Sequence, residues 1–116
     1  MDAVIYLRTA SAGNDLHAIA RQEEACRRWC ATAGHTVVGV YQDAGTSASR
    51  LNRDRPGLAD AVAAVTTGQA RRLVAFAADR ISRDGGHFGD VVGTIRAAGG
   101  DVDFANGDQA DRYPLA

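Results

Sequence analysis

The sequence predicts an α/β domain, with a mainly parallel central sheet of four or five strands and helices on both faces. Short apolar runs rich in β-branched residues alternate along the chain with longer segments of helical periodicity. Strands separated by helices pair in parallel through right-handed crossovers, which puts helices on the faces of the sheet. At 116 residues the chain has the length of one domain and one core.

Residues 3–7, Ala-Val-Ile-Tyr-Leu, read as a buried strand, and residues 9–15 as a small polar loop. A helix is expected from about Ala18 to Ala33, because Ile19, Cys26, Trp29, Cys30 and Ala33 share one face. Gly34 stops it. Residues 36–41 form a second strand, followed by a polar stretch from Gln42 to Arg55, longer than an ordinary connection. Pro56 suits a first helical position, and the next helix runs to about Thr67 with Leu58, Val62 and Val65 on one side. Residues 73–76 are a third strand and residues 79–86 a charged connection. Phe88, Val91, Val92 and Ile95 mark a helix ending at Gly99-Gly100, and residues 101–105 form a fourth, weaker strand. The domain is expected over residues 1–106, with 107–116 a short tail of little apolar content that frays.

Net charge is −1 and all 13 basic residues are arginine. A domain that wraps DNA unaided carries a large positive excess, so any nucleic-acid contact must come from a local cluster or another domain. Coding bias accounts for the missing lysine; arginine chosen for forked phosphate contacts accounts for a few positions at most. Cys26 and Cys30 sit four apart without a third or fourth ligand nearby and are expected to be core thiols, a metal or redox role being the alternative. No apolar run approaches the ~18 residues of a membrane span, and Met1-Asp2-Ala3 lacks the basic start of a signal peptide, so the expected location is the cytoplasm with no membrane partner.

Three polar segments leave C-terminal ends of strands and should converge on one sheet edge, where ligands of open α/β sheets gather. They hold Arg8, Arg50, Arg53, Arg55, Arg80 and Arg83. Such a cluster suits an anion with several oxygens, since guanidinium matches phosphate as a fork. The opposing reading pairs each arginine with Asp43, Asp54, Asp79 or Asp84. The sequence has neither Walker A nor GxGxxG, which argues against a nucleotide site of the usual kinds.

Four stretches then carry a resemblance. They are Tyr6-Leu7-Arg8; Ala20-Arg21-Gln22-Glu23-Glu24-Ala25-Cys26; Asp43-Ala44-Gly45-Thr46-Ser47 followed by Asp54-Arg55-Pro56-Gly57-Leu58; and Asp79-Arg80-Ile81-Ser82-Arg83-Asp84. In this order and spacing the chain resembles the catalytic domain of serine recombinases, the resolvases, invertases and large serine integrases, from about Ala3 to Gly107. The resemblance implies a resolvase-like fold, cleavage of DNA through a 5′-phosphoserine link, and no metal, ATP or other cofactor. Its partners would be the DNA backbone and a second recombinase subunit. Arg8, Arg55, Arg80 and Arg83 match the family's phosphate-contacting arginines, Gln22 and Asp79 match supporting positions, and Ser47 matches the serine of the second loop.

The nucleophile position two residues after the first arginine is Ala10. Three readings are open: Ser11 attacks from a shifted loop, the site is degenerate and retains phosphate binding, or Ala10 is a substitution that traps the enzyme. The family also continues into a long dimer helix and a DNA-binding domain, which are expected to be absent from 116 residues, with Pro114 interrupting a helix there. Two rivals complete the set: a non-catalytic regulator of the same fold, and an unrelated small α/β phosphohydrolase or anion binder.

Overall fold

A computed structural model describes residues 1–9, 16–44 and 55–112. The strands are β1 (Asp2–Thr9), β2 (Thr36–Ala44), β3 (Arg72–Ala75) and β4 (Asp101–Phe104), and the helices are α1 (Leu16–Ala33), α2 (Pro56–Thr66) and α3 (Gly85–Ala97). Short 3₁₀ turns cover Ala78–Arg80 and Ala110–Arg112. The sheet has the order β2-β1-β3-β4, and every pairing is parallel. The chain steps from β1 to β2, then returns across β1 to β3, so the order reverses between β1 and β3. In open α/β sheets ligands gather at the C-terminal edge of such a switch point.

The two faces follow from strand alternation in β1. Val4 and Tyr6 point to α2 and α3, in a core with Leu58, Leu73, Ile81, Phe88, Ile95 and Phe104. Ala3, Ile5 and Leu7 point the other way, against Cys26 and Cys30 of α1, with Ile19 and Trp29 packed at its margin. Ala33, expected on that face, is exposed. Each fully buried Leu, Ile or Phe stabilises the fold by about 1.5–3 kcal/mol. Both thiols are buried core groups; burial pushes Cys26 up to about 12, which makes it inert as a nucleophile near neutrality.

The observed boundaries depart from the sequence expectation in two informative places. The second strand continues past Tyr41 to Ala44, because Gln42, Asp43 and Ala44 pair with Leu7, Arg8 and Thr9. Asp43 is therefore a strand residue and not part of a loop. At the other end, the segment expected to be a tail makes contacts as far as Asp111. Ala105 and Asn106 extend the β3–β4 pairing by donating to the carbonyls of Ala75 and Phe76 at 3.0 and 2.9 Å. Asp111 then receives Arg96 at 2.7 Å. Among the described residues no helix is long and apolar enough to cross a membrane.

Candidate phosphate-binding site

At the switch point β3 stops at Ala75, opposite Tyr6, while β1 runs on to Thr9. The backbone of Arg8 therefore lies beyond the end of β3. Gln22 of α1 takes the place of the missing strand: its side-chain oxygen accepts from the Arg8 amide at 3.3 Å, and its amide nitrogen donates to the Arg8 carbonyl at 3.0 Å. Arg80, on the turn that follows β3, donates to the same carbonyl at 3.3 Å. Three sequence-predicted residues, Arg8, Gln22 and Arg80, thus meet at one point.

Asp43, Tyr6 and Arg55 form a second layer beneath it. The helix α2 begins without a capping side chain of its own, since Arg55 stands at the N-cap. Asp43 reaches across from β2 and accepts from the amides of Gly57 and Leu58 at 2.9 and 3.0 Å. It also accepts the Tyr6 hydroxyl at 2.7 Å. Burial, the largest influence, pushes the Tyr6 phenol far up, so it stays protonated and donates to Asp43. In return Tyr6 accepts from Nε and a terminal nitrogen of Arg55, at 3.2 and 2.8 Å. Arg55 also donates to the carbonyls of Ile81 and, at 2.6 Å, Arg80. It is wholly buried, so its guanidinium braces the turn that carries Arg80 and does not reach the surface.

Gly57 is what allows this approach. A Cβ there would sit 2.4 Å from the Gln42 carbonyl oxygen and 2.9 Å from the Asp43 carboxylate. Alanine would gain at most about 1 kcal/mol of helix propensity, but must push two backbones apart. Gly57→Ala should lower stability by about 1–3 kcal/mol in urea unfolding; a neutral or stabilising effect would contradict the close packing of α2 on β2.

Three of the four carboxylates that might neutralise the arginines lie among the described residues. Asp43 caps α2, and Asp84 caps α3 by accepting from the His87 amide at 2.9 Å. Asp79 Oδ1 and Arg80 Nε form an ion pair at 3.6 Å, as the opposing reading expects, though beyond hydrogen-bond range, and neither atom has a hydrogen-bond partner among the described residues. Arg83 is exposed, next to the α3 cap. Arg8 is buried, and its pKa is lowered by desolvation first and then by the nearby charges of Arg80 and Arg55. Arginine remains charged nonetheless, so Arg8, Arg55 and Arg80 bring three positive charges near one another, with Asp79 beside them. Such a seat suits a tetrahedral oxyanion and would stabilise negative charge developing on it.

Ala10, Ser11 and Ser47, with Arg50, Arg53 and Asp54, lie outside the described residues. Among those described, no group of three or more His, Cys, Asp or Glu side chains is arranged to hold a metal ion. Sequence reasoning left Tyr6 and Asp43 out of the site, although both stand in the motifs. The signal that would have found Asp43 is the helix start Arg55-Pro56-Gly57: it lacks a local capping side chain, so its free amides need an acceptor from elsewhere.

Comparison with known proteins agrees with this architecture. The fold is similar to the C-terminal catalytic domain of ISC1926 TnpA, an IS607-like serine recombinase, with a TM-score of 0.80 and 24% identity over 96% of this chain and 73% of that one. It is similar to the N-terminal catalytic domain of TP901-1 integrase, with a TM-score of 0.76 and 20% identity over 91% and 78%. A resolvase family site-specific recombinase from Streptococcus pneumoniae gives 0.74 and 15% over 99% and 79%. At these identities the likeness is one of fold. No curated protein matches in sequence. The sequence itself matches the family described as "Resolvase, N terminal domain" over residues 3–115, nearly its whole length, and the chain belongs to that family.

Proposed function

We propose that this domain binds the phosphodiester backbone of DNA at the β1–β3 crevice, as part of a serine recombinase-type protein, and that Ala10 leaves it without a strand-cleaving nucleophile. Arg80 and Arg83 contact the phosphate from the surface. Arg8 contributes its charge from below, Gln22 holds the Arg8 backbone, and Asp79 steers Arg80. Arg55 supports the turn from beneath.

The observation that carries this reading is the contact of Arg80 with Arg8 at the switch point, with Arg80 Nε left without a hydrogen-bond partner among the described residues. The carboxylates of Asp43 and Asp84 are committed to helix caps, which leaves Asp79, paired with Arg80 at 3.6 Å, as the described counter-charge among these acids. Ser47 matches the family's serine of the second loop, and Ser11, one residue past the family's nucleophile position, is the nucleophile of the competing reading. A second subunit of the same family is the expected protein partner.

The test is binding of a short DNA duplex, followed by fluorescence anisotropy across a salt series. Phosphate contacts make log affinity fall linearly with log salt, and loss of one contact flattens the slope by about one. Arg80→Ala and Arg83→Ala should each do so. An unchanged slope in both would remove the crevice as the DNA site.

A further inference from the structure

The segment that follows β4 reaches back to the arginine-bearing turn. Gly107, at φ +95°, closes a tight turn by donating to the Phe104 carbonyl at 3.1 Å. Asp108 is fixed in turn, its amide donating to the Asn106 side-chain oxygen at 2.9 Å. Its own carboxylate then accepts from the Ala78 amide at 2.9 Å. Ala78 is the first residue of the 3₁₀ turn Ala78–Arg80. Farther along, Ala110 packs against the larger core, and Asp111 is held by Arg96, which also binds Asp101 at 3.0 Å. Residues 105–112 thus form a strap anchored at the site-bearing turn and at the end of α3.

The turn is pinned at both ends. Arg55 holds its exit through the carbonyls of Arg80 and Ile81, and Asp108 holds its start. Between these points the Arg80 side chain lies across the Arg8 carbonyl. We propose that Asp108 is a positioning residue for Arg80, coupling the segment after the last strand to the phosphate seat; this rests on the DNA-binding reading above. Charge and geometry make opposite demands here. Removing a carboxylate near an anion site strengthens anion binding if charge alone matters. Loss of the hydrogen bond frees the turn and weakens binding if position matters.

The experiment uses the full chain with a short DNA duplex as ligand, and compares Asp108→Ala, Asp108→Asn and Asp111→Ala with the parent. Asparagine keeps an acceptor oxygen without the charge, and Asp111→Ala cuts the far anchor. Before ligand is added, NMR should show the Ala78 amide exchanging on the order of tenfold faster in Asp108→Ala and the Arg80 Nε–H resonance displaced. Duplex affinity should then fall roughly fivefold in Asp108→Ala, while Asp108→Asn restores both signals and affinity. Asp111→Ala should leave the Arg80 resonance in place. An unmoved Arg80 resonance in Asp108→Ala, or tighter duplex binding by it, overturns the proposal. If the parent fails to bind duplex while Asp108→Ala still moves Arg80 and Asp108→Asn restores it, the DNA reading fails and the positioning link stands.

Discussion

Arg55→Ala should destabilise the domain by about 3–5 kcal/mol, since each buried acceptor left without its donor costs roughly 1–3 kcal/mol and a cavity adds to this. Arg55 is fully buried and serves three acceptors: the Tyr6 hydroxyl and the carbonyls of Arg80 and Ile81. Alanine would leave all three without this donor and open a cavity among them. Since whole domains are stable by only ~5–15 kcal/mol, such a loss is large. Arg55→Lys should fall between the two, because a single ammonium cannot present donors in the same planar fork. Urea unfolding measures both. A cost below about 1 kcal/mol for Arg55→Ala, as for an ordinary surface pair, would mean that the buried brace is not formed.

The second large effect concerns chemistry. Joined to the long dimer helix and DNA-binding domain of a serine recombinase, the parent domain should form no covalent adduct with a nicked suicide duplex. Ala10→Ser in the same fusion should form a phosphoserine adduct visible on a denaturing gel. The difference should be on the order of a millionfold in rate, the scale on which a serine hydrolase loses activity with its nucleophile. A methyl group cannot attack phosphorus, and positive charge stabilises a transition state without supplying the attacking oxygen. If the parent fusion cleaves and Ser11→Ala abolishes it, Ser11 is the nucleophile and the degenerate reading is wrong.

Much of the architecture is legible in the sequence because each element carries its own signal. β-Branched runs mark β1 and β2, and the spacing of Phe88, Val91, Val92 and Ile95 marks the buried face of α3. Parallel pairing follows from the intervening helices. The convergence of Arg8 and Arg80 follows from strand direction, since Arg8 stands near the C-terminal end of β1 and Arg80 on the turn just past β3. The internal layer is different. Asp43 reads as a loop acid because acids are usually exposed, and only the contact between β2 and the start of α2 shows that it caps a helix. Arg55 resembles a phosphate ligand in one dimension, but the fold turns it inward onto Tyr6. Asp108 is 28 residues from Arg80 in sequence, and its bond to the amide of Ala78 depends on a turn at Gly107 that composition presents as a frayed tail.

Crystals of the chain grown or soaked with a short DNA duplex or with sulfate would test the phosphate seat most directly. The account predicts a tetrahedral anion at the C-terminal ends of β1 and β3, held by at least two of Arg8, Arg80 and Arg83, with Arg80 Nε donating to it. An empty crevice under saturating anion, with these guanidiniums turned apart into separate ion pairs with neighbouring carboxylates, would contradict it.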